Sequence, residues 1–146
     1  MPGTYRGHGL EFMYPENWAL GEEQTDEAWA VSLQSPGTGF VQVIGHPDRP
    51  RIEDVLETTL GTLREDYPEL EEETAGEMIA GCRAQGRDVH FISLDLTTTC
   101  WVRCFRSASA TLLVLCQAHD LEADHLEPVF RALRKSMRLA DAAPAK

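Results

Sequence analysis

Thr99-Cys100-Trp101-Val102-Arg103-Cys104-Phe105-Arg106, then Ser107-Ala108-Ser109, then Ala110-Thr111-Leu112-Leu113-Val114-Leu115-Cys116-Gln117-Ala118, is the stretch whose reading decides the fold. Both long segments are rich in β-branched, aromatic and aliphatic residues, and small turn-forming residues join them, so they read as a β-hairpin. With the turn symmetric about Ala108, Cys100, Val102 and Cys104 share one face with Leu112, Val114 and Cys116. Trp101, Phe105, Leu113 and Leu115 then fill the other. A sheet with one wet side would carry polar residues there. These strands are therefore expected to be central and covered on both sides.

Two covering helices are available. Ile52, Val55, Leu56, Leu60 and Leu63 recur at intervals of three and four, which predicts an amphipathic helix from about Arg51 to Tyr67-Pro68. Leu126, Val129, Phe130, Leu133 and Met137 predict a second from about Leu121, with Asp120 or Asp124 as its cap and Pro128 in a first turn or at a break. Upstream, Leu10 to Tyr14 alternates as a short strand that stops at Pro15. Glu22, Glu23, Asp26 and Glu27 read as a charged loop, and Trp29, Val31 and Leu33 as one strand face. The cluster Ser35 to Gly39 reads as a turn into a strand at Phe40 to Ile44. Glu77 to Ala84 and Val89 to Thr98 read as two further strands, with the turn between Arg83 and Asp88 at Gly86. The acidic run Glu71-Glu72-Glu73 reads as a solvated edge.

The expected architecture is α+β: an α/β/α sandwich on an antiparallel sheet of about six to seven strands with a helix on each face. The 146 residues, 42% of them hydrophobic and 25% charged, suit one domain with one core, ordered from about residue 5 to 138 and frayed over 141–146. Thirteen basic against 24 acidic residues give a net charge of −11, which repels phosphate backbones and anionic lipid and argues against nucleic acid as a partner. The first nine residues lack an apolar signal region, and no apolar run approaches a membrane span. Four cysteines are too few for a disulfide scaffold, so reduced thiols in a cytoplasm are expected.

Gly9-Leu10-Glu11-Phe12 followed by Tyr14-Pro15-x-x-Trp18, a hairpin, a helix, a meander and a closing helix containing Phe130 and Ser136 resembles the PsbP/Mog-like fold superfamily over about residues 5–138. That resemblance implies an α/β/α sandwich. Its members include photosystem II extrinsic subunits, a Ran-binding nuclear transport factor, actinobacterial lipoproteins and Eag-type secretion chaperones, most of which bind partners. For this chain it implies at most a hydrophobic groove that holds a client helix.

Individual constellations add little chemistry. Cys100 and Cys104 lie roughly 13 Å apart on a strand, too far to share one metal ion. Cys100 opposite Cys116 would be close enough for a redox pair. His119, Asp120, Asp124 and His125 gather four possible metal ligands at a helix start, although capping explains the aspartates. Arg131, Arg134, Lys135 and Arg138 fall along one flank of the closing helix as a basic patch. Trp18 and Trp29 are candidates for a partner groove because tryptophan is enriched at binding hot spots, and for the core because it is large and apolar. No nucleophile-with-base motif, phosphate-binding glycine loop or H-E-x-x-H occurs, and no cofactor is expected. The expectation is a non-catalytic protein-binding module for an unidentified protein partner, with small-ligand or metal binding at 119–125 as the alternative.

Overall fold

A computed structural model describes residues 2–140 of the chain. The expected fraying over 141–146 lies outside the described residues. In chain order the elements are β1 (Pro2–Gly7), β2 (Leu10–Pro15), β3 (Ala19–Gln24), β4 (Trp29–Gln34), β5 (Phe40–His46), α1 (Ile52–Asp66), β6 (Glu71–Ile79), β7 (Cys82–Ser93), β8 (Leu96–Arg106), β9 (Thr111–His119), α2 (Asp120–Lys135) and β10 (Arg138–Leu139). A seven-stranded sheet runs in the order β3-β4-β5-β9-β8-β7-β6, and a three-stranded one in the order β1-β2-β10. Every pairing in both is antiparallel.

The central hairpin is covered on both faces, as its composition requires. On one side Val89, Phe91, Cys100, Val102, Cys104 and Leu113 pack on Val55, Leu56 and Leu60 of α1. On the other, Trp101, Phe105, Leu112, Val114 and Cys116 pack on Phe130 and Leu133 of α2, joined by Tyr5, Leu10 and Phe12 of the small sheet. The architecture is a sandwich of α1, the large sheet, and a layer made of α2 with the small sheet.

The hairpin register differs from a turn symmetric about Ala108. Arg106 pairs with Thr111, so Trp101 faces Cys116 and Cys100 faces Gln117. The loop holds Ser107 through Ala110, closed by the Ser107 N–H on the Ala110 carbonyl at 2.8 Å. The Ser107 hydroxyl also accepts the Ser109 and Ala110 N–H groups. Cys100, Val102 and Cys104 therefore share their face with Leu113, while Cys116 lies on the opposite side of the sheet with Trp101. Cys100 and Cys116 are not placed to pair.

Other elements are shifted or unforeseen. β1 occupies the stretch read only as a leader without an apolar region, and β3 incorporates Glu22 and Glu23, which were expected in a loop. The segment Glu77 to Ala84 is not one strand, because the chain reverses at Ala80-Gly81; Gly86 sits inside β7 instead of in a turn. Val89 to Thr98 likewise splits at Leu94-Asp95, where Ser93 pairs with Leu96. Three two-residue reversals share one geometry: His8-Gly9, Ala80-Gly81 and Leu94-Asp95 all have φ between 54° and 78°. Positive φ at both central residues matches the right-handed twist of the flanking strands, which is why such turns close two-residue hairpins.

At the start of α2 the N-cap is His119, with no side-chain cap. Thr38, on the turn between β4 and β5, takes over: its hydroxyl accepts the His119 N–H at 3.2 Å, and its own N–H donates to Glu122 at 2.7 Å. The Thr38 hydroxyl also donates to Glu122. Those hydrogen bonds hold the Glu122 carboxyl below its usual pKa. Pro128 lies inside α2, neither in its first turn nor at a break.

Candidate functional site

A surface concavity lies where β2 meets α2. β10 covers β2 only at Leu10 and Glu11, so from Phe12 onward that edge of β2 faces α2. The Met13 N–H donates to the Ser136 hydroxyl at 2.9 Å, and the same hydroxyl donates to the Leu133 carbonyl at 2.7 Å. Ser136 thus fastens the strand to the end of the helix. Pro15, two residues on, has no N–H to satisfy. The result is a groove of about 760 Å³ lined by Met13, Tyr14, Pro15, Pro128, Val129 and Ala132, among others. Met13 is 45% exposed on its wall, a large apolar side chain left beside further apolar surface. Tyr14, Pro15, Pro128 and Val129 stood out in the sequence for other reasons and none of them as lining a groove; the available signal was Pro128 and Ala132, one turn apart on the flank of an apolar stripe.

Beneath α2, on the same side of the large sheet, lies an ionic cluster of two buried arginines and two partly buried carboxylates. Glu77 of β6 accepts from Arg103 of β8 at 2.9 Å and from Arg134 of α2 at 2.8 Å. Arg103 also donates to Asp88 of β7 at 2.8 Å. Arg134 is only 3% exposed, and among the described residues it also donates to the Cys116 sulfur at 3.7 Å. Burial alone would raise the Glu77 carboxyl, but hydrogen bonds and charge from Arg134 and Arg103 outweigh it and hold the group below its usual pKa. Burial acts on Arg134 in the opposite sense, and Glu77 together with Cys116 outweighs it there too. Two cations and two carboxylates close on one another, tying α2 to three strands.

This cluster corrects the basic patch. Arg134 points into the core, while Arg131, paired with Glu127 one turn away at 2.9 Å, Lys135 at the helix end and Arg138 on β10 are exposed. Trp18 and Trp29 are buried and belong to the core. Trp18 meets Phe130 edge-on with centroids 6.0 Å apart, and Trp29 stacks on His8 at 4.4 Å. The four residues at 119–125 are separated by their partners. His119 Nδ1 is 2.9 Å from the Thr98 hydroxyl, Asp120 accepts from Thr99 at 2.8 Å, and Asp124 and His125 face solvent. Among the described residues no group of three or more His, Cys, Asp or Glu side chains is placed to hold a metal ion.

The three buried thiols carry no poised reactivity. Burial pushes Cys100 and Cys104 up to about 12, and Cys116 up to about 11 against the opposing pull of Arg134 and Arg103. A thiol needs a lowered pKa and access to react readily. Titration of native protein with an aromatic disulfide reagent at neutral pH is expected to modify Cys82 alone, which is half-buried near the start of β7, and all four cysteines only after unfolding. Rapid modification of a second thiol in folded protein would contradict the packing described.

In sequence the chain matches no family model and no curated protein. In structure it is similar to the cyanobacterial PsbP protein CyanoP of Synechocystis sp. PCC 6803, with a TM-score of 0.69 at 13% identity over 94% of this chain and 92% of that one. The fold is PsbP-like. Two further solved structures are similar to this chain. One is PA94 of Pseudomonas aeruginosa, a protein of unknown function, with a TM-score of 0.56 at 14% identity over 99% of this chain and 98% of that one. The other is LpqN of Mycobacterium tuberculosis, involved in cell envelope biogenesis, with a TM-score of 0.56 at 12% identity over 95% and 89%. Among the described residues no helix is long and apolar enough to cross a membrane.

Proposed function

We propose that the protein is a non-catalytic binding module, an adaptor or chaperone-like protein, that receives an apolar segment of a protein partner in the groove between β2 and α2. The observation that carries this reading is the groove itself: Met13, Val129 and Ala132 present apolar surface to solvent beside Ser136, whose hydroxyl is already satisfied, with Glu16 and Asn17 completing the lining. Contiguous apolar surface on a folded domain marks interaction sites, and a groove flanked by a helix suits an amphipathic segment. The PsbP-like fold supplies the frame and does not by itself assign the role. We infer a cytoplasmic setting from the sparse cysteines and acidic surface.

Met13 and Ala132 are both exposed, so Met13→Asp and Ala132→Glu are expected to shift unfolding by no more than about 0.5 kcal/mol. Each is expected to abolish recovery of a stoichiometric partner when tagged protein is incubated in native lysate. Failure of the unaltered protein to retain any stoichiometric partner, or retention of the same partner by both variants, removes the groove from consideration.

A further inference from the structure

A second site lies on the α1 side of the sheet, where the loop from β5 to α1 meets the β8–β9 turn. Arg49 donates from Nε to the Ser107 carbonyl at 3.0 Å, and Arg106 donates from Nη2 to the Arg49 carbonyl at 2.8 Å. Each guanidinium is thus anchored on main chain at, or next to, the other arginine. Both residues are exposed, and among the described residues neither forms an ion pair, whereas most of the other arginines do. Asp48 and Asp54 are near in the chain but pair with neither, and Glu53 pairs with Arg51. The backbone at Arg49 is also unusual. Its N–H closes a turn on the His46 carbonyl at 3.1 Å, and its φ is 55°. Among the described residues it is the left-handed position outside the two-residue reversals that carries a side chain. Glycine is favoured at such a position, and the proline that follows pushes its neighbour toward extended backbone instead. The conformation is held from outside, by Arg106 on the Arg49 carbonyl and the Thr111 hydroxyl on the Pro50 carbonyl. Strain kept at an exposed charged residue points to a use for that residue.

We infer that Arg49 and Arg106 bind the phosphoryl group of a small phosphomonoester. Each commits one N–H to main chain, and the other donors of both planar forks have no protein acceptor among the described residues. Such forks match the oxygens of a phosphate. A neutral donor would fasten either loop as well, so the clasp accounts for the positions of the two side chains and not for their charge. Two cations balance the dianion that a phosphomonoester carries near neutral pH, whereas a carboxylate would leave one of them unanswered. Long-range charge selects the size of the ligand. A nucleic acid or an anionic bilayer brings many negative charges against a net charge of −11, while a small ester brings a single dianionic group. The site lies at the start of α1, apart from the groove at α2, so it stands or falls independently of the function proposed above.

The test is titration of isotopically labelled protein with methyl phosphate at constant ionic strength, read by main-chain amide and arginine side-chain chemical shifts. Saturable shifts are expected at residues 48–51 and 106–110 and at the side chains of Arg49 and Arg106. Arg83 and Arg138, exposed and likewise without an ion pair among the described residues, are the internal controls and should not respond. Acetate is expected to bind about tenfold more weakly or not at all. Arg49→Asn suits a left-handed backbone, and Arg106→Lys keeps a charge without the fork; each is expected to weaken methyl phosphate about tenfold or more. Both variants are expected to keep a thermal midpoint close to the native one, which separates lost binding from lost folding. Absence of saturable shifts overturns the inference, as do equal shifts at Arg83 or Arg138, equal affinity for acetate, or undiminished binding by either variant. Sedimentation of the protein with phosphatidic acid vesicles through the same two arginines overturns the choice of a small ligand.

Discussion

Glu77→Ala is expected to lower the unfolding free energy by about 3–5 kcal/mol, the range found when one partner of a buried ion pair is removed and the other stays behind. Arg134 suffers most. It is almost wholly buried on the sheet side of α2, and without Glu77 the side-chain partner its guanidinium keeps among the described residues is the Cys116 sulfur, a weak contact. Arg103 is less exposed to the loss, because Asp88 still holds it at 2.8 Å. Arg134→Met should therefore cost less than Glu77→Ala, since the carboxylate it abandons retains Arg103. Replacing both, as Glu77→Leu with Arg134→Met, should cost well below the sum of the two single changes, because no buried charge is orphaned between them. Urea unfolding at neutral pH measures all three. The pH dependence has a definite sign. Glu77 titrates lower in the folded chain than in the unfolded one, so its stabilisation is complete above the unfolded value of about 4.5 and is lost as the pH falls through the lower folded value. The gap between the native protein and Glu77→Gln should accordingly be flat near neutrality and shrink only in acid. A gap that instead widens with acidity would mean that Glu77 is not the paired anion described.

Why the sandwich could be read from the hairpin, and the hairpin's register could not, has a single explanation. Residues 99–106 and 110–118 are apolar on both faces, so burial above and below follows whatever the pairing. The same property removes the information that sets register, since a shift by one residue exchanges the faces without exposing anything apolar. The turn decides, and Ser107 forms a four-residue loop through its hydroxyl and N–H where a three-residue turn about Ala108 was expected. Gly86 misled for a related reason: glycine is the strongest turn signal, but here it serves a close approach within a strand. Of the functional surfaces, the helix stripe of α2 was legible and the groove on its flank was not, because the groove exists only where β10 ends and β2 runs on. The ionic cluster was hidden altogether. Arg134 has the spacing of a surface cation, and its carboxylate partner is 57 residues earlier in the chain. Trp18 and Trp29 show the limit of composition as a guide, since the size that makes tryptophan a hot spot also makes it core.

Gly86→Ala is expected to be among the most damaging small substitutions in the protein. A Cβ at residue 86 would fall 1.8 Å from the Val102 carbonyl oxygen and 3.1 Å from Cδ of Arg103. The first obstacle is main chain in the middle of the β7–β8 ladder and cannot swing aside. The second explains why the position is bare. Arg103 pairs directly with Gly86, and its side chain must cross β7 to reach Glu77 on β6. A methyl group there both pries the strands apart and lifts the stem of Arg103 off its path. Overpacking of this kind costs about 1–3 kcal/mol and sometimes more. Here the loss should reach or pass the upper end, because the displaced arginine also loosens the ion pair with Glu77. Gly21→Ala is the matched control, since nothing lies within 4 Å of a Cβ added at that position. Thermal and urea unfolding of the two variants should differ by several kcal/mol on this account, with Gly21→Ala close to the native protein. The mechanism makes a further demand. In a Glu77→Leu, Arg103→Leu, Asp88→Asn, Arg134→Met background the crossing guanidinium is gone and no buried charge is orphaned, so the cost of Gly86→Ala should fall toward that of the backbone clash alone. An unchanged cost in that background would separate the glycine from the ion cluster, and a Gly86→Ala protein as stable as its Gly21→Ala counterpart would refute the close approach itself.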